Sequence, residues 1–127
     1  MLRRASWVCG LALFAFACSE APTATGAAEQ WVQGKRFSIQ VSLAKQSMQL
    51  KNHSSGGAKF SPLLLVGSFR DAGKRTKLLT SGSSELKTGE EFSVPLGSQL
   101  GAQPLYQLSE LRVEIGEAAE KEIFVVR

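Results

Sequence analysis

Few side chains in this sequence have types and spacings suited to chemistry. There is one histidine, His53, in the run Asn52-His53-Ser54-Ser55-Gly56-Gly57. A Ser-His-acid centre needs a nucleophile beside its base, and no Gly-x-Ser-x-Gly turn is present. His53 therefore reads as an exposed loop histidine. With Cys9 in an apolar leader and Cys18 expected to be lipidated, one histidine and no free cysteine cannot supply the usual ligand set of a zinc site. Calcium needs several oxygen ligands at fixed spacing, and Asp71 is the sole aspartate. Glu114, Glu117, Glu120 and Glu122 cluster near the C-terminus without EF-hand order. They are the one place where paired carboxylates could do acid–base work, but nothing in the pattern suggests the burial that would separate their pKa values. They read as a solvated edge. Gly82 and Gly89 are turn glycines without the spacing or following helix of a phosphate loop. The sequence thus points away from an enzyme, and no cofactor or metal is expected.

Two features remain. Arg70, Lys74, Arg75 and Lys77, with Asp71 among them, form a basic hairpin tip. Such a tip can meet anionic head groups at about 1 kcal/mol per charge, dock on an acidic protein surface, or simply keep a turn soluble and discourage edge pairing. The second feature is Cys18. Met1-Leu2-Arg3-Arg4 is a positive start, and Trp7–Ala17 follows without a charge. Positive residues hold such a start on the cytoplasmic side while the apolar run inserts. The run is too short to span hydrocarbon, which takes roughly 20 residues. Ala15-Phe16-Ala17 also suits ordinary signal peptidase cleavage, but the residue after the cut would be Cys18. With Cys9 lost in the leader, Cys18 would be the sole mature cysteine, exposed and in need of a partner.

Phe14-Ala15-Phe16-Ala17-Cys18 resembles the bacterial lipobox. The resemblance implies diacylglyceryl transfer to the Cys18 thiol and cleavage just before it. One acyl chain anchors only marginally, at about 0.8 kcal/mol per buried methylene; the two or three chains of a lipoprotein cysteine anchor stably. Ser19 stands where Asp would resemble the inner-membrane-retained class. The membrane, reached through this lipid, is thus one expected partner, with an outer-membrane, periplasm-facing location. Arg3 and Arg4 account for two of the 15 basic residues, so 13 face 11 acidic ones in the remainder. That balance gives no argument for nucleic-acid binding.

Residues 1–17 read as the leader and 18–30 as the lipidated cysteine with a flexible tether, because Ser19–Gln30 is small and polar. Fully extended, that tether would reach about 40 Å. Residues 31–127 read as one domain. Phe37, Ile39, Val41 and Leu43 alternate with polar residues, and Met48 and Leu50 continue the period of two. Leu63–Val66 is apolar on both faces and reads as a central, doubly covered strand, with Pro62 at its start. Asp71–Lys74 reads as a turn and Lys77 as the start of a return strand. Further strands are expected at Phe92–Leu96, Leu111–Ile115 and Glu122–Val126, with Leu105–Leu108 a short strand or strap and Gly116–Lys121 closing the last hairpin. Seven or eight short strands separated by turn signals predict an all-β fold, a small antiparallel β-sandwich. A small open barrel is the alternative architecture.

Asn52, Gly57, Ser61-Pro62 and the apolar run Leu63–Val66 are similar to the early part of type VI secretion system outer-membrane lipoproteins. The similarity covers about twenty residues and ends after Phe69. It implies a scaffold that holds an inner-membrane subunit through sandwich loops. The sequence reading is therefore a non-enzymatic binding or assembly module with an envelope protein partner. A lipid, glycan or small-molecule binder with a cavity between its apolar faces is the alternative.

Overall fold

A computed structural model of the chain describes residues 22–80, 85–101 and 105–127. The alternation read from the sequence sets the faces of its strands. In β3 (Phe37–Ser42) and β4 (Ser47–Asn52), Phe37, Ile39, Met48 and Leu50 point inward and are fully buried. In β6 (Leu63–Phe69), Leu63, Leu65 and Phe69 do the same. In β10 (Leu108–Ile115) and β11 (Glu122–Val126), the inward set is Leu111, Val113, Ile115 and Phe124. Each such side chain contributes roughly 1.5–3 kcal/mol on burial. Together they form one apolar core.

Three further short strands and two longer ones complete the sheets: β1 (Thr23–Gly26), β2 (Trp31–Gln33), β5 (Ala58–Lys59), β7 (Gly73–Leu79) and β9 (Glu91–Pro95). A two-residue strand, β8 (Glu85–Leu86), pairs with β5. The first sheet has the order β1-β11-β10-β6-β7 and the second β2-β3-β4-β9. The fold is all-β and sandwich-like, with no closed barrel. A single helical turn, α1 (Leu96–Gln99), follows β9 and buries Leu96.

Several expectations are corrected. The described residues hold eleven strands rather than seven or eight. One pairing is parallel: β1 lies beside β11, with Ala24 opposite Phe124 and Gly26 opposite Val126. The expected tether of residues 18–30 is thus wrong for its later part. Residues 23–30 belong to the fold, where Glu29 N–H donates to Val41 O at 2.7 Å. The sequence hid β1 because its inward places hold Ala24 and Gly26. A Cβ on Gly26 would stand 2.4 Å from Val32 Cγ2, so the approach of β1 to β2 leaves no room for an apolar side chain. Of Leu105–Leu108, expected as a short strand or strap, Leu105–Gln107 is a 3₁₀ turn and Leu108 opens β10. β6 is flanked by β10 and β7, and its Leu64 and Val66 are only half-buried, so it is not doubly covered. Strand β7 begins at Gly73, within the expected turn, which shrinks to Arg70–Ala72.

The chain passes from sheet to sheet through β1 and β2 on one side of the sandwich. On the other side, β7 ends the first sheet and β9 the second.

Candidate functional site

An apolar groove of about 230 Å³ runs between these two sheet ends. Phe60, Leu63 and Leu79 form one wall, and Phe92, Val94 and Pro95 the other. Phe92 lies opposite Leu50 in the ladder and shares its inward face with Val94, which lies opposite Met48. Leu50 is fully buried, yet Phe92 is 39% exposed, because the first sheet does not reach across it. Its ring packs on Phe60, with centroids 4.7 Å apart and planes tilted by 34°. Chemically the groove can take up apolar groups.

The basic residues meet this groove along β7. Register with β6 puts Lys77 opposite Leu65 and Arg75 opposite Gly67, on the inward face, with Leu79 next in line. Lys74 lies opposite Ser68 on the outward face. The single basic tip expected from sequence is thus divided between two faces of an edge strand. Arg70 is used differently: its Nη2 donates to Tyr106 O at 2.9 Å, and its backbone N–H donates to Gln107 O at 3.0 Å. Lys74, Arg75 and Lys77 are exposed and form no ion pair with a described acidic group.

The acidic cluster differs most from expectation. Glu122 is 2% exposed, not part of a solvated edge. It occupies an inward position of β11, two residues before Phe124. Its Oε1 accepts N–H bonds from Lys35 at 2.9 Å and Arg36 at 3.1 Å. Its Oε2 accepts the Arg36 backbone N–H at 3.0 Å and Arg36 Nε at 3.1 Å. The carboxylate thereby ties the first sheet to the turn between β2 and β3. Arg36 also reaches Glu120, through both its carboxylate and its backbone carbonyl. The exposed Glu120 carboxyl is held below the usual range, first by its hydrogen bond from Arg36 and then by that charge. The Arg36 guanidinium is raised, chiefly by the Glu120 hydrogen bond, against desolvation. Glu114 sits on the outer face between Lys121 Nζ at 2.5 Å and Arg112 Nε at 2.9 Å. Its carboxyl is lowered, first by the Lys121 hydrogen bond, against desolvation, and then by Arg112. These pairings make two structural sets, Arg36 with Glu120 and Glu122, and Glu114 with Arg112 and Lys121, and of the four acids of the cluster only Glu117 has no ion pair to a described base. The signal for Glu122 was the Glu-x-Phe-x-Val alternation itself, which puts it on the buried face.

His53 is half-buried rather than exposed. Its Nε2 lies 2.9 Å from Gly34 O, which makes Nε2 the protonated nitrogen. That nitrogen is taken up by the Gly34 carbonyl, so the ring fastens the turn that Glu122 clamps. Asn52 is fully buried, and its Nδ2 donates to Gly56 O and Leu86 O at 2.9 and 2.8 Å. Its Oδ1 accepts from Ser54 N and Ser54 Oγ. The resemblance residue Asn52 thus folds its own loop and joins it to β8. Among the described residues, no group of three or more His, Cys, Asp or Glu side chains could hold a metal. No helix among them is long and apolar enough to cross a membrane. Cys18 and Gly82 lie outside the described residues.

The sequence matches no family model, and comparison with curated proteins finds no match.

Proposed function

We propose that this chain is a lipid-anchored, periplasm-facing envelope protein of the outer membrane that works by non-enzymatic binding or assembly. The observation that carries the reading is the open side of the sandwich. There a partly exposed aromatic residue, Phe92, lines an apolar groove between two strands that each end a sheet. Backbone groups at such ends, with apolar surface beside them, suit a macromolecular partner. The anchor would be Cys18, the lipobox-like residue. β1 starts five residues later, at Thr23. Five extended residues reach about 17 Å, so the sandwich would stand close to the head groups and meet partners held at the membrane. A secretion-system scaffold is the specific form that the Asn52, Gly57 and Ser61-Pro62 resemblance implies.

The test combines acyl labelling with site-specific crosslinking. Wild-type chain should take up labelled palmitate and Cys18→Ser should not. A photo-crosslinker replacing Phe92 should trap a discrete envelope protein, and one at Gln49, on the outer face of the second sheet, should not. Equal labelling of the serine variant, or equal crosslinking from both positions, overturns the reading.

The apolar walls of the groove favour a second reading, a lipid, glycan or small-molecule binder. Its volume, about 230 Å³, lies below the roughly 300–1,000 Å³ of small-molecule pockets. That size fits a partner's side chain better than a whole ligand.

A further inference from the structure

We propose that β7 is the docking edge for an extended, acidic segment of a partner protein, which adds as a further strand to the first sheet. The proposal rests on the reading of the open side as a binding surface and names the chemistry of what binds there.

Strand β7 reads Gly73-Lys74-Arg75-Thr76-Lys77-Leu78-Leu79. Six of its seven residues are exposed, and the strand ends its sheet. In an antiparallel pair, alternate residues turn their N–H and C=O groups away from the partner. β7 therefore presents a row of backbone donors and acceptors beyond β6. Its charge decides who can use them. Lys74, Arg75 and Lys77 are all cationic, with no acid in the strand and no ion pair to a described acidic group. Lys35, Lys45, Lys51, Lys59 and Lys87 likewise lack a described carboxylate partner, so what sets β7 apart is three cations within four successive positions of one edge strand. Two copies pairing β7 against β7 would bring like charges together across the ladder, which is destabilising. The edge thus disfavours pairing with a copy of itself and is complementary to an acidic strand.

The register supplies the pattern. Arg75, Lys77 and Leu79 share the inward face, and Lys74, Thr76 and Leu78 the outward one. Leu79 lines the apolar groove with Phe92. An antiparallel strand laid on β7 would meet Leu79 and Leu78 first, then Lys77, Thr76, Arg75 and Lys74. The matching segment has two apolar residues, an acid, a polar residue and two acids, in that order. Its first apolar side chain enters the groove, and its acids stand opposite the cations at cross-strand distance, about 5 Å.

The experiment uses the full chain, expressed with its leader and purified in detergent. The probes are labelled synthetic peptides containing Leu-Leu-Glu-Thr-Glu-Glu, its Lys-substituted counterpart, and versions N-methylated at alternate backbone positions. Anisotropy should show binding of the acidic peptide, at least tenfold weaker binding of the basic one, and loss of binding on methylating one alternate set but not the other. The triple reversal Lys74→Glu, Arg75→Glu, Lys77→Glu should invert the preference. Equal binding of acidic and basic peptides, indifference to methylation, or no binding of the acidic peptide overturns the proposal. Crosslinking of the reversed variant from position 92 separates the two levels. A trapped partner unchanged by charge reversal removes this inference and leaves the open-side reading, whereas the absence of any trapped partner from wild type removes both.

Discussion

Replacing Glu122 by Gln tests the tie between the sheets. The carboxylate receives N–H bonds from Lys35 and Arg36 and from the Arg36 side chain, at 2.9 to 3.1 Å. A glutamine can keep its oxygen at the Oε1 position, but its amide nitrogen then faces Arg36 N–H and Nε–H, donor against donor. Hydrogen bonds to charged groups contribute about 1.5–3 kcal/mol each, and breaking a buried charged pair costs about 3–5 kcal/mol. The turn at Lys35 borders solvent, so water relieves part of this. The expected loss is about 3 kcal/mol for Glu122→Gln and about 4 kcal/mol for Glu122→Ala. Arg36→Met should cost only about 1 kcal/mol, because the backbone donors of Lys35 and Arg36 stay on the carboxylate. The assay is urea unfolding of a soluble chain starting at residue 18 with Cys18→Ser, followed by fluorescence of Trp31, its only tryptophan. With a slope of about 1–2 kcal/mol per molar, the Glu122→Gln midpoint should fall by roughly 1.5–3 M. A loss below about 1 kcal/mol, or an Arg36→Met loss as large as that of Glu122→Gln, refutes the backbone clamp.

Three other outcomes are expected. Gly34→Ala places a Cβ 2.6 Å from Phe124 Cζ and 2.7 Å from Glu122 Oε1, both buried groups. It should cost about 2–3 kcal/mol in the same assay, and a neutral result would mean that the turn can withdraw from β11. Asn52→Asp turns a carboxylate oxygen toward Gly56 O and Leu86 O where Nδ2 now donates. It should lower stability by about 3 kcal/mol, more than the roughly 2 kcal/mol of Asn52→Ala; the reverse order in thermal melts would refute the assigned amide orientation. Glu114, whose carboxyl is lowered chiefly by Lys121, contributes stability above the unfolded carboxylate pKa of about 4.3. That contribution is lost as pH falls through its lower folded value. Glu114→Gln should therefore be less stable than wild type by up to about 1 kcal/mol at pH 7 and converge with it in acid melts, whereas a constant difference down to pH 2 would refute the pairing.

Alternation made the longer strands legible, since Phe37–Val41, Met48–Leu50, Leu111–Ile115 and Phe124–Val126 each write a buried face in apolar residues. It failed where burial needs no bulk. The inward places of β1 hold Ala24 and Gly26 because β2 approaches too closely for more. It failed again in β7, where no buried face exists to be written.

Charged residues at inward register positions show why the site was harder to read than the fold. Glu122 in β11 and Arg75 and Lys77 in β7 all stand on the face their neighbours use for the core. Local sequence treats them alike, as charges that interrupt a period of two. Their fates diverge because the second sheet covers Glu122 and its β2–β3 turn brings N–H donors to it, while no described strand lies over Arg75 and Lys77. A buried charge without donors would cost several kcal/mol, so the covered position has to be clamped and the uncovered ones stay solvated. An inward-facing charge therefore reports either a tie between sheets or the end of one, and only the partner sheet decides which. Here the two outcomes lie on different parts of the sandwich. The first closes the turn held by Glu122 and His53. The second leaves β7 and Phe92 with surface that nothing in the described chain covers, which is the ground on which the proposed binding edge rests.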